Sequence, residues 1–307
     1  LALTVAQAAC VALPAAGLVL TMALWLRRWL EPKVAILLIA GTFAGLLTFL
    51  LARPHVFSWP LLAIWTVLLL RAREENRAPP LVAALLMTLW CNLHGSFIFG
   101  IALIAPFAAE ALFAAPAAAR ITVVRQWALF GFASAAAAAI SPYGLHTLLF
   151  PFQLTSMDVL GAINEWLPSD FAALSVFEVV LLAGLFACLW LGVKVPFWRL
   201  LVVIGLLHMA LAHSRHQALF LIVSSLILAA PLARALGEGA PRFSLAAAIR
   251  ERRRDVMPLL VILGLLAAGM TVWRLAGAGG PAPTRHLPQT SPNPRAPAPR
   301  ARRGLNQ

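Results

Sequence analysis

The sequence predicts an all-α, polytopic transmembrane helical bundle of about ten spans. Three observations predict it. The chain is 62% hydrophobic with a mean hydropathy of +0.88, whereas soluble domains are about 45–50% apolar. Charged residues make up 11% of it, against about 25% in soluble proteins. Apolar runs recur near the length that crosses a hydrocarbon core, about 17–25 residues. No long polar segment stands apart, so the chain reads as one transmembrane domain, 1–274, followed by a tail, 275–307.

The spans fall in order at 4–26, 34–52, 56–70, 81–93, 97–115, 127–140, 172–193, 199–212, 218–236 and 257–274. The first begins almost at Leu1, with no basic region of the kind that opens a signal peptide, so it is expected to be a helix whose upstream sequence precedes this chain. The runs at 56–70, 81–93, 127–140 and 199–212 are short for a crossing, and each abuts a polar motif. Their helices are therefore expected to continue through the motif, or the motif to dip into the membrane. Cys10, Cys91 and Cys188 lie in or beside apolar runs, in no metal or disulfide spacing, and read as small buried apolar residues.

Charge orients these spans. One set of connections carries Arg27, Arg28 and Lys33; Arg71, Arg73 and Arg77; Arg120 and Arg125; Lys194 and Arg199; and Arg234, Arg242, Arg250, Arg252, Arg253 and Arg254. That is sixteen of the 24 Lys and Arg, and the positive-inside rule places it in the cytoplasm. The alternate connections hold only Arg53 and Arg215. The net charge of +13 is thus a topology signal. Nucleic-acid binding, which needs a basic face on a folded domain, is excluded. The Pro/Arg-rich tail is expected to be disordered, and parity places it outside, against the charge rule.

The outward set comprises "RPH" (53–55), "NLHG" (92–95), the long segment 141–170 and "HSRHQ" (213–217). It gathers His55, His94, His146, His213 and His216 with Asp158, Glu165 and Asp170. Within the long segment, "LHTLLFPFQL" is apolar enough for a short helix in the membrane interface. Arg53 and Arg215 break the charge rule, and guanidinium binds phosphate bidentately, so both are candidate anchors for a lipid-linked phosphate. Snorkelling to headgroups is the competing role. The histidines are candidate phosphate donors or acid–base groups, and His213 and His216 share a face if their segment is helical. Glu165, beside Trp166, is the acidic group best placed to act as a base or hold a divalent cation. No zinc-ligand spacing is present. Glu178 and Glu110 lie inside spans, where a buried partner is expected. In "NLHG", Gly95 is read as a turn residue, Asn92 as a cap on freed backbone groups, and His94 as pointing into an outer cleft. There is no P-loop, GxGxxG or GxSxG motif to support nucleotide or hydrolase chemistry.

At "RPHVFSW" (53–59), "LWCNLHGSFIFG" (89–100), "SPYGLHTLLFPFQ" (141–153), "INEWLPSD" (163–170) and "HSRHQALF" (213–220) the chain resembles a group of bacterial inner-membrane proteins with the glycosyltransferase C-superfamily fold. That group usually has Asn where Ser141 stands and Gly where Ser96 stands. Its members also carry an acidic first outer loop, which lies upstream of the region matched here, and an outer C-terminal domain. The resemblance implies transfer of a sugar from a polyprenyl-phosphate donor to a cell-envelope acceptor on the outer face of the inner membrane. Membrane lipid and a polyprenyl-phosphate-linked sugar are the partners it implies, with no organic cofactor. The catalytic roles then fall to Glu165, His94 and His216. Substrate binding falls to Arg53, His55, Asn92, Tyr143, His146, Trp166, His213 and Arg215. An O-antigen ligase or polymerase, which handles a lipid pyrophosphate, is the alternative enzyme. A transporter ranks below both, because polar groups cluster at one face and no internal repeat is visible.

Overall fold

A computed structural model describes residues 2–50, 53–155 and 163–238. The chain divides into Leu1–Gly264 and Leu265–Gln307, and all described residues belong to the first unit. The predicted span at 257–274, the tail 275–307 and Asp158 lie outside the described residues.

Among the described residues all regular structure is helical. The α-helices are α1 (Ala2–Trp29), α2 (Pro32–Leu46), α3 (His55–Glu74), α4 (Leu85–Leu93), α5 (Phe97–Ala114), α6 (Arg120–Ala138), α7 (His146–Thr155), α8 (Val176–Trp190), α9 (Phe197–Ala212) and α10 (Gln217–Ala235). Short 3₁₀ turns extend several of them. Six stretches are long and apolar enough to cross a membrane: Ala8–Trp29, Pro32–Phe49, His55–Glu74, Phe97–Ala114, Ala117–Ala138 and Ser214–Ala235. At a rise of about 1.5 Å per residue such helices match a hydrocarbon core of about 30 Å. The chain is a multi-pass membrane protein.

Two short runs lengthen chiefly at their basic ends. The run at 56–70 becomes a helix reaching Glu74, and the run at 127–140 one starting at Arg120. Long arginine side chains carry their charge to the interface while the stem stays with the helix. The runs at 81–93 and 199–212 do stay short. Each stops at a histidine with extended backbone, His94 (φ −162°, ψ 142°) and His213 (φ −145°, ψ 120°). Each is followed at once by a tight turn, closed by Phe97 N–H to the His94 carbonyl and by His216 N–H to the His213 carbonyl. "LHTLLFPFQL" forms α7 as expected.

The core centres on α10, where Ile222, Val223, Leu226 and Ile227 are fully enclosed. Helices α1, α2, α3 and α9 pack around it. Lipid tails are as apolar as leucine, so close backbone approach and interhelical hydrogen bonds fix such contacts. Trp25 Nε1 donates to the Leu226 carbonyl at 2.9 Å, and Trp65 Nε1 to the Gly100 carbonyl at 2.8 Å. Thr42 and Ser225 hydroxyls meet at 2.9 Å. A Cβ on Gly100 would stand 2.6 Å from Met87 and 2.7 Å from Trp90, so only glycine lets α5 lie this close to α4. The outward surfaces of α6 and α8 are apolar, with Phe132 74% and Trp190 78% exposed, as a lipid-facing wall requires. Cys10 is exposed too, so it is not the buried residue expected, and Cys91 and Cys188 are half-buried.

One end of the bundle is tied by ion pairs. Glu110 on α5 receives both Nε and Nη2 of Arg199 at 2.9 Å, and Arg73 Nε lies 3.6 Å from it. Arg28 at the end of α1 pairs with Glu74 at 2.9 Å. Helices α3 and α5 end here and α9 begins here, so their other termini meet at the opposite end. There the polar motifs gather.

Candidate functional site

The opposite end encloses a cavity of about 1000 Å³. Its polar rim brings together residues from distant parts of the chain: Arg53, His55, His94, Glu165, Trp166, His213, Arg215 and His216. Its apolar lining includes Phe99 of α5, Leu219 of α10, and Phe150, Phe152 and Leu154 of α7. Eight of the eleven residues proposed from the sequence therefore meet in one space. The remaining three do not line it. Tyr143 and His146 are exposed beyond the end of α6. Asn92 is exposed and turned to the backbone, donating to the carbonyls of Thr88 at 2.7 Å and Ile140 at 3.0 Å.

Local backbone geometry places each group. The loop 163–170 is bound to the α9–α10 corner by a row of hydrogen bonds. Ser169 N–H donates to the Leu211 carbonyl and Ser214 N–H to the Leu167 carbonyl, at 2.9 and 3.0 Å. The Ser169 hydroxyl donates to the Ala210 carbonyl at 2.7 Å and accepts from Gln217 Nε2 at 2.9 Å. This row fixes Glu165 and Trp166 at the cavity mouth. Arg53 Nη1 then reaches Glu165 Oε1 at 2.7 Å. The Arg215 guanidinium lies 4.2 Å from the Trp166 ring centroid, a stacked cation–π contact. Among the described residues no carboxylate is in salt-bridge contact with Arg215.

Hydrogen bonds also set the imidazole tautomers. Ser96 N–H donates to His94 Nδ1 at 3.2 Å, so Nδ1 is an acceptor and the neutral ring carries its proton on Nε2. The Ser96 hydroxyl accepts from Trp90 Nε1 at 3.1 Å and donates to the same Nδ1 at 2.9 Å. Burial pushes His94 down to about 4, with the nearby His55 and Arg215 adding to the shift and Glu165 opposing it. His94 is thus a neutral N–H donor at pH 7. His213 Nδ1–H donates to the Trp166 carbonyl at 2.7 Å, and His55 Nε2–H to the Phe49 carbonyl at 2.9 Å, which leaves each ring's second nitrogen as an acceptor. The rings of His55 and His94 stand 6.2 Å apart, and those of His213 and His216 5.7 Å apart. Ser214–His216 is a 3₁₀ turn closed by His216 N–H to the His213 carbonyl, so these two histidines meet without an α-helix.

Gly95 is not in the left-handed region, and a Cβ there would meet nothing within 4 Å. The turn after His94 does not require glycine; the extended histidine makes the reversal. Glu178 is the third residue of α8, its N–H held by the Ser175 hydroxyl at 3.1 Å, so it lies at a helix start and not inside a span. Glu110 has the partners expected of a carboxylate inside a span. His208 of α9 also lines the cavity and was not proposed. Its signal was an ionisable residue in an apolar run, less than two turns from "HSRHQ". Among the described residues no three metal-binding side chains converge.

Comparison with models of protein families, with curated proteins and with solved structures finds no match for this chain.

Proposed function

We propose that this chain is a membrane glycosyltransferase of the C-superfamily kind. It takes a sugar from a polyprenyl-phosphate carrier and passes it to a cell-envelope acceptor at the outer face of the bacterial inner membrane. The observation that carries the reading is the cavity's mixed lining: two guanidiniums and five imidazoles together with apolar side chains from α5, α7 and α10. That is the shape of an amphiphile with an anionic head. Arg215 and His94 supply the phosphate with donors, and Arg53 stands beside them. Phe150, Phe152 and Leu154 suit the first isoprene units.

In an inverting transfer the acceptor hydroxyl attacks the anomeric carbon, its proton passes to a base, and the bond from that carbon to the phosphate oxygen breaks. The polyprenyl phosphate leaves with the bonding electrons. Cationic and N–H donors lower the energy of that developing charge. Glu165 is the carboxylate at the rim that can take the proton.

The test is binding of undecaprenyl phosphate to the protein in lipid nanodiscs, followed by quenching of tryptophan fluorescence, with undecaprenol as control. Saturable binding of the phosphate alone, weakened about tenfold or more by Arg215→Gln, is expected. Equal binding of undecaprenol removes the phosphate-head reading.

A further inference from the structure

The rim presents two arginines, yet they are not equivalent. Arg53 Nη1 is held at 2.7 Å by Glu165 Oε1. Among the described residues Arg215 has no carboxylate in contact and rests on the face of Trp166, with Glu165 acting on it only at longer range, and a π face compensates a cation without neutralising it. With imidazoles neutral, the rim therefore carries one uncompensated positive charge. The carboxylate that removes the second comes from a loop fixed by its own hydrogen bonds, Ser214 N–H to the Leu167 carbonyl and Ser169 N–H to the Leu211 carbonyl. Glu165 is thus delivered to Arg53 by the architecture and does not drift there.

We infer that Glu165 is a specificity-determining residue: its carboxylate occupies Arg53 and disfavours head groups that carry a second phosphate. This deepens the phosphate-site reading and rests on it. A phosphodiester linking a lipid to a sugar carries one such charge and is satisfied by Arg215 and the His94 N–H. A diphosphodiester carries two. Its second charge gains a cation only by displacing Glu165 from Arg53, and the displaced carboxylate then stands against the anion. Side-chain exposures of 57% for Arg53 and 43% for Glu165 make the pair weak enough to exchange. The penalty on the second charge is consequently a matter of affinity and not of steric exclusion.

The experiment compares two soluble probes, farnesyl phosphoryl glucose and farnesyl diphosphoryl glucose, on the full chain in zwitterionic nanodiscs. It is run at pH 8, where ordinary imidazoles are neutral. The readout is the ratio of the two dissociation constants. Glu165→Gln keeps the side-chain shape and frees Arg53. It is expected to shift the ratio about tenfold toward the diphosphoryl probe. Adding Arg53→Gln is expected to return the ratio to its starting value. Glu165→Asp draws the carboxylate back by one methylene and carries the same test, with a smaller shift in the same direction, should the first variant fold poorly. A ratio unchanged in Glu165→Gln while both probes bind overturns the inference and leaves the phosphate site standing. So does an equal loss of both probes, which makes Glu165 a direct contact for the sugar. A gain that persists after Arg53→Gln overturns it as well. Failure of both probes to bind any form of the protein removes the phosphate site and this inference together.

Discussion

Asn92 Nδ2 spans from the end of α4 to the backbone carbonyl of Ile140, 3.0 Å away beyond the end of α6. The same amide holds the Thr88 carbonyl at 2.7 Å, and the Thr88 hydroxyl in turn donates to the Ala137 carbonyl at 2.8 Å. Together they clamp α4 to α6 just where α4 stops and His94 turns into the cavity. Asn92→Ala is expected to cost about 1 kcal/mol of stability and to lower the thermal midpoint in detergent. Affinity for the lipid phosphate should hardly change, because the amide faces backbone and not the cavity. A large loss of affinity at unchanged midpoint would return Asn92 to the binding site.

His94 should behave in the opposite way. His94→Ala removes the Nε2–H donor from the rim and is expected to weaken polyprenyl-phosphate binding roughly ten- to a hundredfold, with a smaller effect on the midpoint. An affinity equal to wild type would leave His94 as a helix-end residue only.

Stability should also depend on pH through His94. The folded imidazole is held down to about 4 from an ordinary 6.5. Between those values the unfolded chain binds a proton that the folded one refuses. The contribution is therefore complete above about 6.5 and is lost as pH falls toward 4, by up to about 3 kcal/mol. Thermal midpoints of wild type and His94→Gln, measured from pH 7.5 to 4.5, should diverge at neutral pH and converge at the acid end. Parallel curves would sink this assignment.

Glu110 joins α5 to α3 and α9 at the far end, with the side chains of Arg73, Glu110 and Arg199 only 7, 14 and 13% exposed. Glu110→Gln leaves two guanidiniums without their carboxylate and is expected to cost about 3 kcal/mol. Adding Arg199→Met should recover part of that loss, since an apolar replacement of a buried pair is cheaper than a broken one. Binding at the cavity, at the other end of α5, should be untouched. Denaturant titration and the nanodisc assay read the two effects separately.

Topology has its own test. Arg77 follows the ion-paired end of α3, and Tyr143, 75% exposed, follows the opposite end of α6. With Cys10, Cys91 and Cys188 replaced by alanine, a membrane-impermeant maleimide on intact spheroplasts should label Tyr143→Cys and not Arg77→Cys. Labelling of both, or of Arg77→Cys alone, would reverse or break the assignment of the cavity to the outer face.

Where helices form is legible in the order of the amino acids. Nine of the ten predicted spans coincide with helices, six of them in stretches long enough to cross a membrane, and the tenth lies outside the described residues. That order also determines which motifs share an end, because each crossing reverses direction and basic residues mark alternate connections. Both are one-dimensional properties, readable from local composition and order.

Which side chains meet depends on the assembled bundle. Asn92 and His94 are two residues apart, yet one faces the backbone of α6 and the other the cavity. Arg53 and Glu165 are separated by 112 positions and touch. Tyr143 and His146 share the motif-bearing end and stay outside the cavity, while His208 lines it. The reason is physical. In a span that is apolar on every side, hydropathy carries no signal about rotation around the helix axis or about lateral neighbours. Those are set by close packing, by contacts such as Gly100 against Trp90, and by interhelical hydrogen bonds. They exist only once the helices are assembled.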